Sequence, residues 1–334
     1  MVNMGLIGAG RIGRVHAGHL AHHIPAARLA AVADINPTAA ADLAGRFGVP
    51  AYGDHRYVLD DPDIAAVAIC SSTDTHARLI IEAAQAGKHI FCEKPIDLDL
   101  ARIDEALAAV EAAGVKLMVG FNRRFDPSFR KARELVQSGA IGAVHLVRIT
   151  SRDPAPPPLA YVRVSGGLFL DMTIHDFDMA RYLGGEIEEV FAAGSVLVDP
   201  DIGAAGDIDT AIVLLHLRGG ALGAIDNSRQ AVYGYDQRVE VFGSAGMVAV
   251  GNRTPDTHVL SDAHGVHSAR PLYFFMERYT ESFLAEMTAF VECLVEDKPP
   301  PVSGRDGRQA VVIALAAQRS LRERRPVSVA EVAG

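Results

Sequence analysis

Over the first 120 residues, short apolar or β-branched runs alternate with longer alanine-rich stretches, the pattern of βαβ units that build a parallel sheet. Strands are predicted at residues 4–7, 29–33, 65–70, 89–92 and 116–119. The intervening helices have legible ends: Pro37 suits a first helical turn, Gly48 follows Phe47, and Gly87 follows the run 77–86. After Phe121 the pattern changes. A helix is predicted at 127–138 and a strand at 144–150, followed by a proline-rich stretch, 154–158, that reads as a loop because strand-like sequence continues on both sides. The runs 210–217 and 221–227 flank Arg218-Gly219-Gly220, a hairpin signal, and 237–243 with 247–250 gives another. Long helices near 279–296 and 306–322 close the chain, which has no internal repeat. The expected fold is α/β: a parallel sheet first, then a largely antiparallel open sheet with helices on one face.

A chain of 334 residues exceeds the size at which single cores stop growing, so two domains are expected. Apolar residues at 49% and charged residues at 22% describe a folded globular chain and exclude a disordered one. The net charge of −9 opposes broad attraction to phosphate backbones or anionic lipid, so no nucleic-acid and no membrane partner is expected. Glycines and charges interrupt every long apolar run, and the start, MVNMGLIGAGRIG, lacks the basic and apolar regions of a signal peptide; the expected location is the cytoplasm. Cys70, Cys92 and Cys293 form no C-x-x-C pair and are read as reduced, buried thiols.

The first strand runs into Gly8-Ala9-Gly10-Arg11-Ile12-Gly13, a G-x-G-x-x-G that opens a helix. Gly8 would permit the tight turn, Gly10 the approach of a pyrophosphate, and Gly13 close helix packing, while the helix N-terminus supplies amide donors. Asp34 ends the second strand 21 residues after Gly13, where a carboxylate accepts from ribose hydroxyls. It would repel a ribose phosphate, and Ile35 and Asn36 offer no arginine to neutralise one, so NAD is expected over NADP. A structural turn with Asp34 as a helix cap is the plainer alternative.

Three further stretches complete a pattern: Ser71-Ser72-Thr73-Asp74-Thr75-His76 after one strand, Glu93-Lys94-Pro95 after the next, and Gly166-Gly167 ahead of Asp171-Met172-Thr173-Ile174-His175-Asp176. With the N-terminal fingerprint, the chain resembles the glucose-fructose oxidoreductase/inositol dehydrogenase/rhizopine catabolism family over nearly its whole length. The stretches 171–183 and 233–243 are most similar to the family's bacterial inositol 2-dehydrogenases. The resemblance implies a Rossmann domain, residues 1–120, and a substrate-binding and oligomerisation domain, residues 121–334, with the active site between them and a homotetramer assembled through the open sheet. It implies NAD-dependent oxidation of a cyclic polyol to a ketone, myo-inositol to 2-keto-myo-inositol, with scyllo-inositol or an aldose such as glucose as alternatives. A non-catalytic NAD-binding regulator is the alternative from a different class.

Carried over by motif, the implied catalytic residues are Lys94, Asp171 and His175. Oxidising a secondary alcohol needs a base for the hydroxyl proton, which suits His175; Asp171, four residues earlier on a predicted helix, would support it, and Lys94 would stabilise charge on the oxygen. On spacing alone, Asp171 as an N-cap, His175 as a satisfied histidine and Lys94 as a surface cation are the plainer readings, and the resemblance reverses that preference. Ser71, Thr73, His76, Glu93, Lys94 and Asn122 are expected along the cofactor with Gly8, Gly10, Arg11, Ile12, Gly13 and Asp34. Arg124, Asp153, Thr173, Tyr235 and Tyr279 are candidate hydroxyl-binding groups; sequence leaves open which of Arg123 and Arg124 points inward and whether the tyrosines are core aromatics. A metal site through His175, Asp176 and Asp178 is the weaker rival, because His175 and Asp176 are adjacent and point to different helix faces, so no metal is expected.

Overall fold

The computed structural model describes residues 1–333. It divides into two compact units: Met1–Phe125 together with Glu281–Val311, and Asp126–Thr280 together with the chain from Val312 onward. The first crossing lies near the expected boundary at 120/121. The expectation that all of 121–334 forms one domain differs from the structure at Glu281–Val311, which packs with the first unit. An apolar helical stripe declares that it is buried, and not which sheet it covers.

In the first unit, β1 (Val2–Ile7), β2 (Ala27–Ala33), β3 (Ala51–Tyr52), β4 (Ala66–Ile69), β5 (His89–Glu93) and β6 (Leu117–Gly120) form a sheet in the order β3-β2-β1-β4-β5-β6. All its pairings are parallel. β4 and β6 are buried at every residue, which explains their unbroken apolar sequence: helices cover both faces of such a sheet. The strand order reverses between β1 and β4, the switch point at which open parallel sheets bind ligands beyond their carboxyl ends. The next helix, Pro37–Phe47, is capped by the Asn36 side chain, which accepts from Thr38 N and Ala39 N, and it ends on left-handed Gly48. The outer edge of β6 is covered by the returning segment, with Val119 N donating to Val302 O at 3.1 Å and Met118 bridging antiparallel to Ser303.

The second unit is built on β7 (Val144–Arg152), β8 (Ile187–Ser195), β9 (Thr210–Leu217), β10 (Leu222–Ser228), β11 (Asp236–Gly243), β12 (Gly246–Val250) and a C-terminal strand, Val327–Ser328, that pairs with β8. Both predicted hairpins form, β9–β10 and β11–β12. Every pairing is antiparallel except β7–β10. Burial alternates along β9, with Val213, Leu215 and Leu217 inside and Ile212 and Leu214 outside. The helix Ile174–Gly184 packs on the inner face, and it lies so close that a Cβ on Gly184 would stand 2.6 Å from Leu217 and 2.7 Å from Val147. A separate, exposed hairpin, Val259–Asp262 with Gly265–Ser268, was not expected from the sequence.

Candidate active site

In the first unit, the loop after β1 has the geometry of a phosphate cradle. Gly8 has a φ of +104°, and a Cβ there would lie 2.5 Å from the Cys70 carbonyl carbon. A Cβ on Gly13 would lie 1.9 Å from Gly8 O, so the helix Arg11–His22 abuts the strand end only because residue 13 is glycine. By contrast, nothing lies within 4 Å of a Cβ built on Gly10, which leaves that side open to a ligand. Arg11 and Ile12 open the first turn of this helix, and first-turn amides have no acceptor within their own helix. Asp34 braces the loop: its Oδ2 accepts from Ala9 N at 2.7 Å and its Oδ1 from Asn36 N at 2.8 Å. Each carboxylate oxygen keeps a further lone pair for a ribose diol. The glycine spacing, the open position and the carboxylate fit a dinucleotide.

Around the ends of β4 and β5, the expected cofactor residues divide. Thr73 opens the helix Thr73–Gln85, and Ser71 Oγ lies 2.7 Å from Thr75 Oγ1. His76 is buried, with Nδ1 2.8 Å from Pro95 O and Nε2 3.1 Å from Ser71 O. Burial pushes its pKa down, and because a neutral imidazole donates from only one nitrogen, the tautomer decides which of the two carbonyls, Pro95 O or Ser71 O, it hydrogen-bonds. Glu93 Oε1 accepts from His16 Nε2 at 2.9 Å, and Glu286 Oε1 lies 3.8 Å from the same nitrogen. The Glu286 side chain is fully buried, and burial first, then the Glu93 charge, pushes its carboxyl well above the usual range. Lys94 is half-buried beside this cluster in sequence, and Asn122 is buried. Arg123 is buried, and Arg124 Nη2 donates to Asp306 Oδ1 at 3.2 Å.

In the second unit, Gly166 and Gly167 both adopt left-handed φ, and a Cβ on Gly167 would stand 2.8 Å from Asp207 Oδ1. That oxygen also accepts from Leu168 N at 3.0 Å. The chain then makes a widened i→i+5 turn, Phe169–Thr173, before the regular helix Ile174–Gly184; such turns recur at functional sites. Thr173 departs from its expected role. It is fully buried and its hydroxyl donates to Asn227 Oδ1 at 2.7 Å, while Asn227 Nδ2 donates to Asp176 Oδ2 at 2.8 Å. Together these bonds clamp the helix to β10, which leaves Thr173 and Asp176 as scaffold.

Asp171 projects from the widened turn with its side chain 13% exposed. Its Oδ1 accepts from Tyr161 OH at 2.8 Å and its Oδ2 from Arg229 Nη1 at 2.8 Å, so side chains engage both oxygens. Arg229 also lies 3.8 Å from Asp153 Oδ2. Burial works against the Arg229 charge, but Asp171, Asp153 and Asp207 more than offset it and hold the guanidinium ionised. His175 follows one turn after Asp171 and is partly exposed. Tyr235 and Tyr279 are buried edge to face, with ring centroids 6.1 Å apart, and the Arg278 guanidinium lies 4.7 Å from the Tyr279 centroid; they form part of the core. Sequence reasoning missed Arg229, Tyr161 and Asn227. The available signal was the polar run Asn227-Ser228-Arg229-Gln230 at the end of an apolar strand.

Comparison with known proteins agrees with both halves of this description. An oxidoreductase family with an NAD-binding Rossmann fold matches residues 2–121, and the GFO/IDH/MocA C-terminal domain matches residues 129–249. The chain is 53% identical to the myo-inositol 2-dehydrogenase of Thermotoga maritima, with 100% of each chain covered. It is 49% identical to the inositol 2-dehydrogenase of Rhizobium meliloti, with 98% of this chain and 99% of that one covered. The crystal structure of scyllo-inositol dehydrogenase from Lactobacillus casei with bound NAD(H) and scyllo-inositol superposes with a TM-score of 0.92 at 33% identity, covering 99% of each chain. The glycine cradle braced by Asp34, the sheet order and these matches establish that the chain belongs to the GFO/IDH/MocA family of NAD-binding oxidoreductases.

Proposed function

We propose that the chain is an inositol 2-dehydrogenase that oxidises the axial secondary hydroxyl of myo-inositol to 2-keto-myo-inositol. The observation that supports this most is Asp171, held as an oriented carboxylate between Arg229 and Tyr161 one turn ahead of His175. NAD⁺, when bound, takes the hydride from the carbinol carbon. His175 accepts the hydroxyl proton as the C–O bond becomes a carbonyl, and later releases it to solvent. Asp171 stabilises the protonated imidazole and Lys94 stabilises negative charge on the reacting oxygen. Asp153 supplies an acceptor for a neighbouring hydroxyl, and a ring bearing several hydroxyls satisfies such a polar lining better than a plain alcohol does.

A panel of inositol isomers and aldoses assayed by NADH absorbance tests the reading. The highest kcat/KM is expected with myo-inositol, and the absence of turnover with any inositol would overturn it. His175→Ala should lower kcat by about a hundred- to ten-thousand-fold while leaving NAD⁺ affinity near its original value. We also propose a homotetramer in which a second copy covers the outer face of the second sheet, where Leu146, Ile212, Leu214, Leu222 and Phe242 are exposed. A monomer mass by light scattering would contradict it. Cytoplasmic location is the accompanying proposal, supported by three free, buried cysteines; among the described residues, no helix is long and apolar enough to cross a membrane.

A further inference from the structure

Arg229 lies outside every motif that identifies the family in this sequence, yet it contacts the most chemically loaded part of the second unit. It follows β10 directly, and its backbone N donates to Asp209 O at 2.8 Å. On either side the chain is stitched to Asp153, whose N donates to Ser228 O at 2.9 Å and whose O accepts from Ala231 N at 2.6 Å. The backbone is therefore fixed independently of the side chain. The side chain is 2% exposed, with Nη1 2.8 Å from Asp171 Oδ2 and 3.8 Å from Asp153 Oδ2. Among the described residues, its Nε and Nη2 are buried without a hydrogen-bond partner.

Burying a guanidinium with donors unsatisfied is costly, and hydrophobic residues of similar volume usually serve stability as well or better. A cation in this position is explained by what it does to its anion. Tyr161, on the other side, donates to Asp171 Oδ1 as a neutral group, whereas Arg229 brings a charged donor to Oδ2. Asp171, Asp153 and Asp207 all favour the charged form of this guanidinium, and Asp171 is the carboxylate in hydrogen-bond contact with it.

We propose that Arg229 is a positioning residue for the oxidation: it fixes the Asp171 carboxylate in charge and direction, and it acts on the rate only through Asp171. This rests on the assignment of Asp171 and His175 to the chemistry in the proposed function. The role is assigned through Asp171 because the Arg229 side chain is 2% exposed and its hydrogen bond goes to that carboxylate.

A double-mutant cycle tests it. Arg229→Gln, Asp171→Asn and the double variant are compared for kcat, for KM toward NAD⁺ and myo-inositol, and for Tm. Arg229→Gln is expected to lower kcat by about tenfold or more with the KM for NAD⁺ changed by less than about twofold, and to add less than about twofold when Asp171 is already Asn. Arg229→Lys, which retains the charge, should recover part of the lost rate and serves as the variant to measure if Arg229→Gln does not fold. Equal kcat losses from Arg229→Gln in both backgrounds would overturn the proposal, as would a fall in Tm with kcat per folded subunit unchanged. Asp171→Asn with undiminished kcat would instead strike the catalytic assignment of Asp171, and Arg229 with it. The two failures are therefore distinguishable.

Discussion

At the scale of single residues, Asp34 has two duties that point to one experiment. It restrains the glycine loop through Ala9 N, and it presents the acceptor that prefers a ribose diol over a ribose phosphate. Asp34→Ser should narrow the preference for NAD⁺ over NADP⁺, because the repulsion disappears. It should also raise the KM for NAD⁺, because the loop loses a charge-assisted bond. Steady-state kinetics with both cofactors checks this, and an unchanged ratio would assign cofactor choice to other residues. Asp34 was legible in the sequence because strand, glycine turn and carboxylate occur in a fixed order. Arg229 was not, since nothing local to it indicates that a residue 58 positions earlier will be its partner. Thr173 was misread for a related reason: a hydroxyl beside a catalytic motif looks available until the asparagine that takes it is seen.

Among elements, the strands of the first sheet could be placed from sequence because burial on both faces demands continuous apolar runs, and both hairpins of the second sheet because their turns carry glycine. β3 is only two residues long and leaves no periodicity to read. The strands Val259–Asp262 and Gly265–Ser268 are exposed throughout, so no hydrophobic alternation marks them. Nor could sequence join His16, Glu93 and Glu286, which come from a helix after β1, the end of β5 and the helix Thr280–Val295. This junction has a pH signature. The folded protein holds a proton on Glu286 that the unfolded chain releases above the ordinary glutamate range. Its contribution to stability is thus full below that range and is lost as pH rises toward the elevated folded value. Glu286→Gln keeps the neutral shape without the titration. Its Tm should decline less than that of the parent protein between pH 5 and pH 8 and exceed it at the upper end; parallel curves in a thermal-shift series would rule out the buried neutral acid.

For the molecule as a whole, the first unit is discontinuous in sequence: Met1–Phe125 is completed by Glu281–Val311. Val302 caps the outer edge of β6, Phe290 meets Phe91 with ring centroids 5.9 Å apart, and Glu286 closes the His16 cluster. During synthesis none of these partners exists until the ribosome has made all of the intervening chain from Asp126 to Thr280. The parallel sheet, a topology already slow to form, must therefore wait with an unpaired edge and a bare apolar face. A fragment ending at Phe125 should accordingly bind a hydrophobic dye and melt without a sharp transition, whereas the full chain should do neither; a cooperative, dye-free fragment would show that the nascent half needs no completion. The fold thus delays the last step in assembling its nucleotide-binding half until the whole segment from Asp126 to Thr280 has been made, so the nascent first half carries an exposed strand edge throughout that interval.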